Sequence, residues 1–127
     1  IAANVLFLGA LGDPSGWYQA MDALLMPSLY EGLPTVGIEA QAAGLPCVLS
    51  DTITDEAVLT PVTRRISLEQ PDDAWARSIL QCTQAEWNRN QGRQAAKEGG
   101  YDIVTETRLL ENRYQALIEK RRTTHDA

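Results

Sequence analysis

Residues 23–50 read ALLMPSLYEGLPTVGIEAQAAGLPCVLS, and they carry the clearest indication of the fold. It holds two short apolar runs, Ala23–Met26 and Cys47–Leu49, and both are typical of buried strands. The small residues between them, Thr35–Ala43, follow a loop and are closed by Gly44, which predicts a helix with a glycine C-terminal cap. A strand, a helix and a second strand in this order predict a parallel βαβ unit.

The rest of the chain continues the alternation of strands and helices. The further predicted elements are a buried strand at Asn4–Leu8 closed by Gly9, a helix at Ser15–Met21 with Trp17, Ala20 and Met21 on its inner face, a weaker strand within Val62–Leu68, and helices at Asp72–Thr83, Glu86–Glu98 and Asp102–Arg121. We predict an α/β fold in one domain over residues 1–127. It has a parallel, Rossmann-like sheet and a helical part over approximately residues 70–121.

The composition is that of an ordinary globular protein, with 44% hydrophobic and 22% charged residues. No apolar run reaches the about 18 residues that a membrane span needs, and no basic start marks a signal peptide. We therefore expect a cytoplasmic protein with at most peripheral membrane contact, through Lys120–Arg122. Cys47 and Cys82 stand alone, which predicts small core residues and no zinc or disulfide framework.

The charged residues are distributed unevenly. A net charge of -6 argues against a general nucleic-acid binder, because phosphate backbones are held mainly by Lys and Arg. All 11 Lys and Arg residues lie from Arg64 onward, and only acidic charges precede it. A phosphate bound by the first half must therefore be held by backbone N–H groups and a helix N-terminus.

The loop after the first strand of the βαβ unit has the features of such an anion site. In a parallel sheet with helices on both faces, ligands bind at the carboxyl ends of the strands. Gly32 and Gly37 permit close backbone approach, Pro34 fixes the turn, and the amides around Thr35 and Val36 are expected to be free donors in the first helical turn.

Two glutamates flank this turn. Glu39 follows Thr35 by four residues, so the two share a helix face, and its side chain leans toward the N-terminus, where a carboxylate can accept from a vicinal diol. Glu31 precedes the helix and can accept from hydroxyls beyond a diphosphate. The pattern suits a nucleotide sugar. On spacing alone, an ordinary surface glutamate and a loop charge beside a helix N-terminus remain the alternative.

The run Met26–Ser50 closely resembles the signature of retaining glycosyltransferase family 4, particularly its exopolysaccharide and capsule transferases. Val5–Gly9, Ala20–Asp22 and the segment from Trp75 to Leu80 are similar to that family too. The resemblance implies a two-domain GT-B fold, of which this chain is part of the C-terminal, nucleotide-sugar-binding domain. It also implies transfer of a hexosyl group from a nucleotide diphosphate sugar to a sugar or lipid-linked acceptor in polysaccharide biosynthesis, with retention.

The resemblance assigns roles to individual residues. Glu39 matches the glutamate that binds the ribose hydroxyls, and Glu31 matches the catalytic-site glutamate that contacts the donor sugar. The remaining expected donor contacts are Gly32, Leu33, Pro34, Thr35 and Val36 at the sugar and diphosphate, and Gly9, Ala10 and Leu11 near the base. The donor is expected to be a UDP-sugar, and neither a cofactor nor a metal is implied.

The chain departs from the family in two respects. The family has a basic residue near Leu11, and this chain has none. The match also begins at the family's third donor-domain strand, so we expect the acceptor domain and the upstream strands, with their cations, to lie outside this chain.

The truncation carries a further expectation about the sheet. In the family's order the first strand separates the third from the fourth, which predicts a gap and a possible homodimer by strand pairing. The alternative to an enzyme is a non-catalytic fragment that self-associates or only binds nucleotide. An epimerase or phosphorylase of the same architecture is disfavoured by the Glu31–Glu39 motif.

Overall fold

The computed structural model of the protein describes residues 1–10 and 12–125, and it has an α/β fold. Its strands are β1 (Leu24–Met26), β2 (Cys47–Ser50) and β3 (Thr63–Ile66), and its α-helices are α1 (Ser15–Ala20), α2 (Thr35–Ala42), α3 (Asp72–Thr83), α4 (Gly92–Glu98) and α5 (Ile103–His125). Short 3-10 turns occur at Ala2–Asn4, Asp55–Ala57 and Arg89–Gln91. The strands on either side of α2, the weaker third strand and the Asp72–Thr83 helix confirm the corresponding predictions.

The sheet has the order β1-β2-β3, and both pairings are parallel. The central strand β2 is buried along its whole length. Cys47 and Leu49 belong to the core that includes α1 and α2, whereas Val48 packs with Trp75 on the α3 side. Helices therefore cover both faces of β2, as the apolar sequence of this strand predicts.

Gln41 ties α2 to the segment that precedes β3. Its side chain is completely buried, and its amide donates to the carbonyls of Gly37 at 3.0 Å and Ala57 at 2.7 Å. Its Oε1 atom accepts from the backbone N–H groups of Leu59 and Thr60 and from the hydroxyl of Thr63. Every polar atom of this amide has a partner, so the network fixes α2 without leaving a buried group unsatisfied.

The C-terminal end of α2 lies very close to α4. Gly44 has the positive φ of 74° expected for a glycine cap, which confirms that prediction. A Cβ atom at Gly44 would overlap the backbone of Arg89, and one at Gly92 would overlap the backbone of Gln41 and Gly44. The close approach of the two helices therefore depends on the missing side chains at Gly44 and Gly92.

The prediction of a buried strand at Asn4–Leu8 is wrong. Asn4 ends a 3-10 turn, and Val5–Leu8 is exposed and belongs to no strand. An apolar run forms a strand only when a neighbour accepts its backbone hydrogen bonds, and the described residues offer none. The outer edge of β1 has no strand partner in that same part of the chain, and Leu25 on this strand is 46% exposed. The sheet is thus open where the gap was expected.

Two helix predictions need correction. In α1 the buried residue is Tyr18, whereas Trp17 and Ala20 are exposed and Met21 is only partly buried. The helix predicted at Glu86–Glu98 begins later, at Gly92, because the Asn88 side chain accepts from the Asn90 N–H at 3.1 Å and favours a 3-10 turn before α4.

The last helix has the predicted apolar stripe, but the stripe is not buried. Its members are between 47% and 59% exposed; they are Leu109, Leu110, Tyr114, Leu117 and Ile118. The helix begins at Ile103, where Asp102 caps it by accepting from the N–H and hydroxyl of Thr105.

Candidate functional site

The candidate site is the segment Glu31–Glu39, which lies at the carboxyl end of β1 and includes the first turn of α2. Helix α2 begins at Thr35, immediately after the buried Pro34, as the sequence predicts. The Pro34 carbonyl accepts from the N–H groups of Gly37 at 3.0 Å and Ile38 at 3.3 Å. Proline thus fixes the backbone at the point where the loop becomes a helix.

The backbone N–H groups of Thr35 and Val36 donate to no acceptor within the described residues. No side chain caps this end of α2, and both residues are exposed. Unpaired amides at a helix N-terminus carry partial positive charge and attract anions. This end of the helix therefore presents free N–H donors, as the sequence predicts, and phosphate binding by them stays a prediction.

The two glycines of the segment are not required by packing inside the protein. A Cβ atom at Gly32 would meet nothing within 4 Å, and one at Gly37 would meet only the Pro34 side chain at an ordinary 3.7 Å. Neither glycine has a positive φ. Gly32 and the neighbouring Leu33 are exposed, so the loop backbone is open to a ligand.

Glu39 lies one turn into α2 and is held by a residue from another helix. The Tyr18 hydroxyl of α1 donates to Glu39 Oε2 at 3.1 Å. Burial, followed by this hydrogen bond to a carboxylate, raises the pKa of Tyr18, so the phenol remains a donor at neutral pH. Glu39 Oε1 has no hydrogen-bond partner among the residues that the structure describes. One oxygen of Glu39 is fixed, and the other is available to accept.

Glu31 is held in a similar way by the end of the sheet. The Ser28 hydroxyl donates to Glu31 Oε1 at 3.0 Å. The backbone carbonyl of Ser28 accepts from the hydroxyls of Ser50 at 2.6 Å and Thr52 at 2.8 Å. Ser50 is completely buried at the end of β2, so Glu31 is connected to the central, buried strand of the sheet through two side chains and one carbonyl.

The predicted base-contacting segment, Gly9–Leu11, is not joined to the segment Glu31–Glu39 in the described residues. Gly9 has a positive φ of 69°, and Gly9 and Ala10 are exposed in a segment without regular structure. No hydrogen bond joins either residue to Glu31–Glu39. Leu11, the last of the three predicted base contacts, lies outside the described residues.

The acidic cluster after β2 has a structural explanation. Arg65 forms an ion pair with Asp55 and donates to the carbonyl of Asp51 at 2.8 Å. Both aspartates and Glu56 are exposed, so these carboxylates lie in a solvated loop. Among the side chains that the structure describes, no three from His, Cys, Asp or Glu are placed to hold a metal ion.

Sequence reasoning missed Tyr18 and Ser28. Tyr18 is 21 residues from Glu39, and no local pattern in a single sequence reports that contact. Ser28 precedes Glu31 by three residues, but this spacing does not identify their contact, because the capping motif with the same spacing joins side chains to backbone N–H groups.

None of the described helices is long and apolar enough to cross a membrane.

Comparison with known proteins identifies a family and several relatives. The family model described as "Glycosyl transferases group 1" matches residues 1–85, which contain the sheet and the candidate site. The chain is 39% identical over 123 residues to EpsF of Bacillus subtilis (strain 168); the match covers 94% of this chain and 32% of EpsF. The chain thus spans about a third of the length of this relative.

Two shorter similarities cover 48 residues each, or 38% of this chain. One is to the Vi polysaccharide biosynthesis protein VipC/TviE of Salmonella typhi, at 46% identity over 8% of that protein. The other is to the UDP-Gal:alpha-D-GlcNAc-diphosphoundecaprenol alpha-1,3-galactosyltransferase of Escherichia coli, at 43% identity over 12% of that protein. No solved structure matches the chain at a significant level.

Proposed function

This chain belongs to the glycosyl transferases group 1 family, and we propose that its segment Glu31–Glu39 binds the nucleotide-sugar donor of a retaining glycosyltransferase. The observation that carries the proposal is the combination of unpaired amides at Thr35 and Val36 with two carboxylates, each held through one oxygen by a hydroxyl. An anion-binding turn between two acceptors suits a diphosphate with ribose on one side and a hexose on the other.

Each part of the segment has a proposed role in donor binding. The free oxygen of Glu39 accepts from the ribose hydroxyls, as the acidic residue does in dinucleotide-binding folds. The amides of Thr35 and Val36 bind the diphosphate, Pro34 fixes their direction, and Glu31 accepts from hydroxyls of the sugar. Gly32 and Leu33 offer backbone at the sugar, and the segment Gly9–Leu11 contacts the base.

We propose a UDP-sugar as donor and a sugar or lipid-linked acceptor in polysaccharide biosynthesis. The printed name of the Escherichia coli relative combines a UDP-sugar with a diphosphoundecaprenol acceptor, and that of the Salmonella typhi relative refers to polysaccharide biosynthesis. These names describe the relatives. They support the proposal because each relative is more than 40% identical to this chain over 48 residues.

In the proposed reaction the acceptor oxygen forms a bond to the anomeric carbon of the hexosyl group, the bond to the diphosphate breaks, and the diphosphate leaves with the acceptor's proton. The protein's contribution is to bind the donor and stabilise the charge on the leaving diphosphate. Because no Lys or Arg precedes Arg64, the segment supplies only backbone amides for that charge. We infer that these 127 residues alone do not catalyse transfer.

An NMR titration with UDP tests where the nucleotide binds. We expect the amide resonances of Thr35 and Val36 to shift by the largest amounts, and uridine, which lacks the phosphates, to leave them in place. The backbone amides of the largely exposed helix α5 serve as an internal control. Shifts confined to another part of the chain would overturn the assignment of the site.

The alternative is a domain that self-associates or only binds nucleotide. It is favoured by the edge of β1, which is unpaired in the part of the chain that the structure describes, and by an apolar groove of about 440 Å³ on the α3 side of that strand. The groove is lined mainly by Leu25, Pro27, Leu68, Trp75 and Ile79. A second strand can add to such an edge. Hydrolysis of UDP-glucose, or transfer from it, by this chain alone would exclude the alternative and contradict the inferred lack of turnover.

A further inference from the structure

We propose that Tyr18 is a positioning residue for nucleotide binding, which holds the Glu39 carboxylate so that its second oxygen accepts from the ribose diol. This inference rests on the proposed function, because it concerns the same site. It adds a residue from α1 to a site that the sequence motif confines to Glu31–Glu39.

The contact between Tyr18 and Glu39 restricts a side chain that is otherwise open to solvent. Tyr18 is only 6% exposed, whereas Glu39 belongs to the exposed residues of α2. An exposed glutamate has several rotamers, and a ligand that selects one of them must offset the lost conformational entropy. The 3.1 Å hydrogen bond to Oε2 selects a rotamer before the ligand arrives, which is preorganisation.

Tyr18 is itself fixed at the backbone. Arg89 Nη2 donates to the Tyr18 carbonyl at 2.6 Å, and Arg89 Nη1 donates to the carbonyl of Met21 at 3.1 Å. These bonds pair a guanidinium with the end of α1, where backbone carbonyls lack helical partners. The ring is buried in the core with Ile38 and Leu49, so the phenol has little freedom to move away from Glu39.

The chemistry of the pair predicts which ligand groups are affected. A phenol donates one proton, and the carboxylate retains the lone pairs of Oε1 for the two hydroxyls of a diol. Tyr18 therefore acts on the ribose hydroxyls through Glu39 and does not act on the base or the diphosphate. A nucleotide without the 2′ and 3′ hydroxyls should be insensitive to Tyr18.

The experiment measures dissociation constants by calorimetry for UDP and for 2′,3′-dideoxyuridine diphosphate. The proteins are the full chain and its Tyr18→Phe, Glu39→Ala and double variants, with Tyr114→Phe on exposed α5 as the matched control. We expect Tyr18→Phe to weaken the binding of UDP by about threefold to tenfold, the effect of one hydrogen bond, and to leave the binding of the dideoxy analogue unchanged. In the Glu39→Ala background, where Tyr18 has no side-chain acceptor at position 39, Tyr18→Phe should have no further effect.

The positioning role would be overturned if Tyr18→Phe weakened the binding of both nucleotides equally, or if the two substitutions had fully additive effects on UDP binding in the double variant. Either result would leave the proposed function intact. Unchanged UDP binding by Tyr18→Phe would overturn the positioning role in the same way. A wild-type chain that binds no UDP would overturn the proposed function and this inference with it. If Tyr18→Phe does not fold, the proposal is tested by the Cζ carbon resonance of Tyr18 in the unaltered protein. UDP should shift this resonance, and the dideoxy analogue should not. Equal shifts with both nucleotides would refute the proposal.

Discussion

The hydroxyl of Ser28 donates to Glu31 at 3.0 Å, and this contact connects the proposed sugar-binding carboxylate to the sheet. The Ser28 carbonyl is in turn held by Ser50 and Thr52 at the end of β2. The position of Glu31 is therefore set by residues up to 21 positions away in the chain. Glu39 is held in the same manner by Tyr18, which gives each carboxylate its own hydroxyl donor.

Replacing Ser28 by alanine should weaken the binding of the donor's sugar, which is the part that Glu31 contacts. We expect Ser28→Ala to lower the affinity for UDP-glucose by about fivefold, close to the loss of one hydrogen bond, while the affinity for UDP changes little. Calorimetry with both ligands measures the difference. Ser78→Ala on α3 is the control. An equal loss for UDP and UDP-glucose would show that Ser28 does not act through the sugar.

Gly92→Ala should strongly destabilise the fold, because its Cβ atom would overlap backbone atoms of Gln41 and Gly44. We expect a loss of about 2 kcal/mol or more in the free energy of unfolding, measured by urea denaturation. Gly16→Ala is the matched control. Gly16 lies within α1 with nothing within 4 Å of a Cβ atom, so its variant should be as stable as the parent or slightly more stable.

The two cysteines should not react in the native protein. Burial raises the pKa of Cys47 to about 12, and burial also raises the pKa of Cys82. At pH 8 only about one Cys47 in 10⁴ is then a thiolate, the form that attacks a disulfide reagent. Titration with Ellman's reagent should detect two thiols in denaturant and none on the same timescale without it. Rapid reaction of either thiol under native conditions would contradict the buried positions.

The edge of β1 that has no strand partner among the described residues predicts self-association. Light scattering should show the mean mass rising from 14.0 kDa toward twice that value as concentration increases. Leu25→Lys places a charge on the exposed strand and should hold the chain monomeric, whereas Leu109→Lys on α5 should not. A monomer at all concentrations would refute pairing of any kind. Loss of the dimer in Leu109→Lys alone would instead assign it to the α5 stripe.

Local signals were sufficient for the centre of the fold and for the candidate segment. Pro34 before the helix and Gly44 after it fixed the limits of α2, because each acts on the backbone of its immediate neighbours. The apolar run at Cys47 predicted a strand that the structure buries completely. The unpaired amides at Thr35 and Val36 follow from the position of the helix start alone.

The errors arose where structure depends on distant residues. Val5–Leu8 has the composition of a strand, but a strand needs a neighbour, and the described chain provides none there. The helix predicted from Glu86 begins only at Gly92, where two glycines allow the close approach of α4 to α2. The contacts of Tyr18 with Glu39 and Arg89 join residues 21 and 71 positions apart, and no spacing rule reaches that far.

The most direct test of the proposed donor site is UDP binding by Glu39→Gln. Glutamine keeps the size of the side chain and one acceptor oxygen but loses the charge that strengthens hydrogen bonds from the ribose. We predict by calorimetry that wild type binds UDP and that Glu39→Gln binds it about tenfold or more weakly. Glu111→Gln on exposed α5 should bind like wild type. Equal affinity of wild type and Glu39→Gln for UDP would show that Glu39 does not hold the ribose.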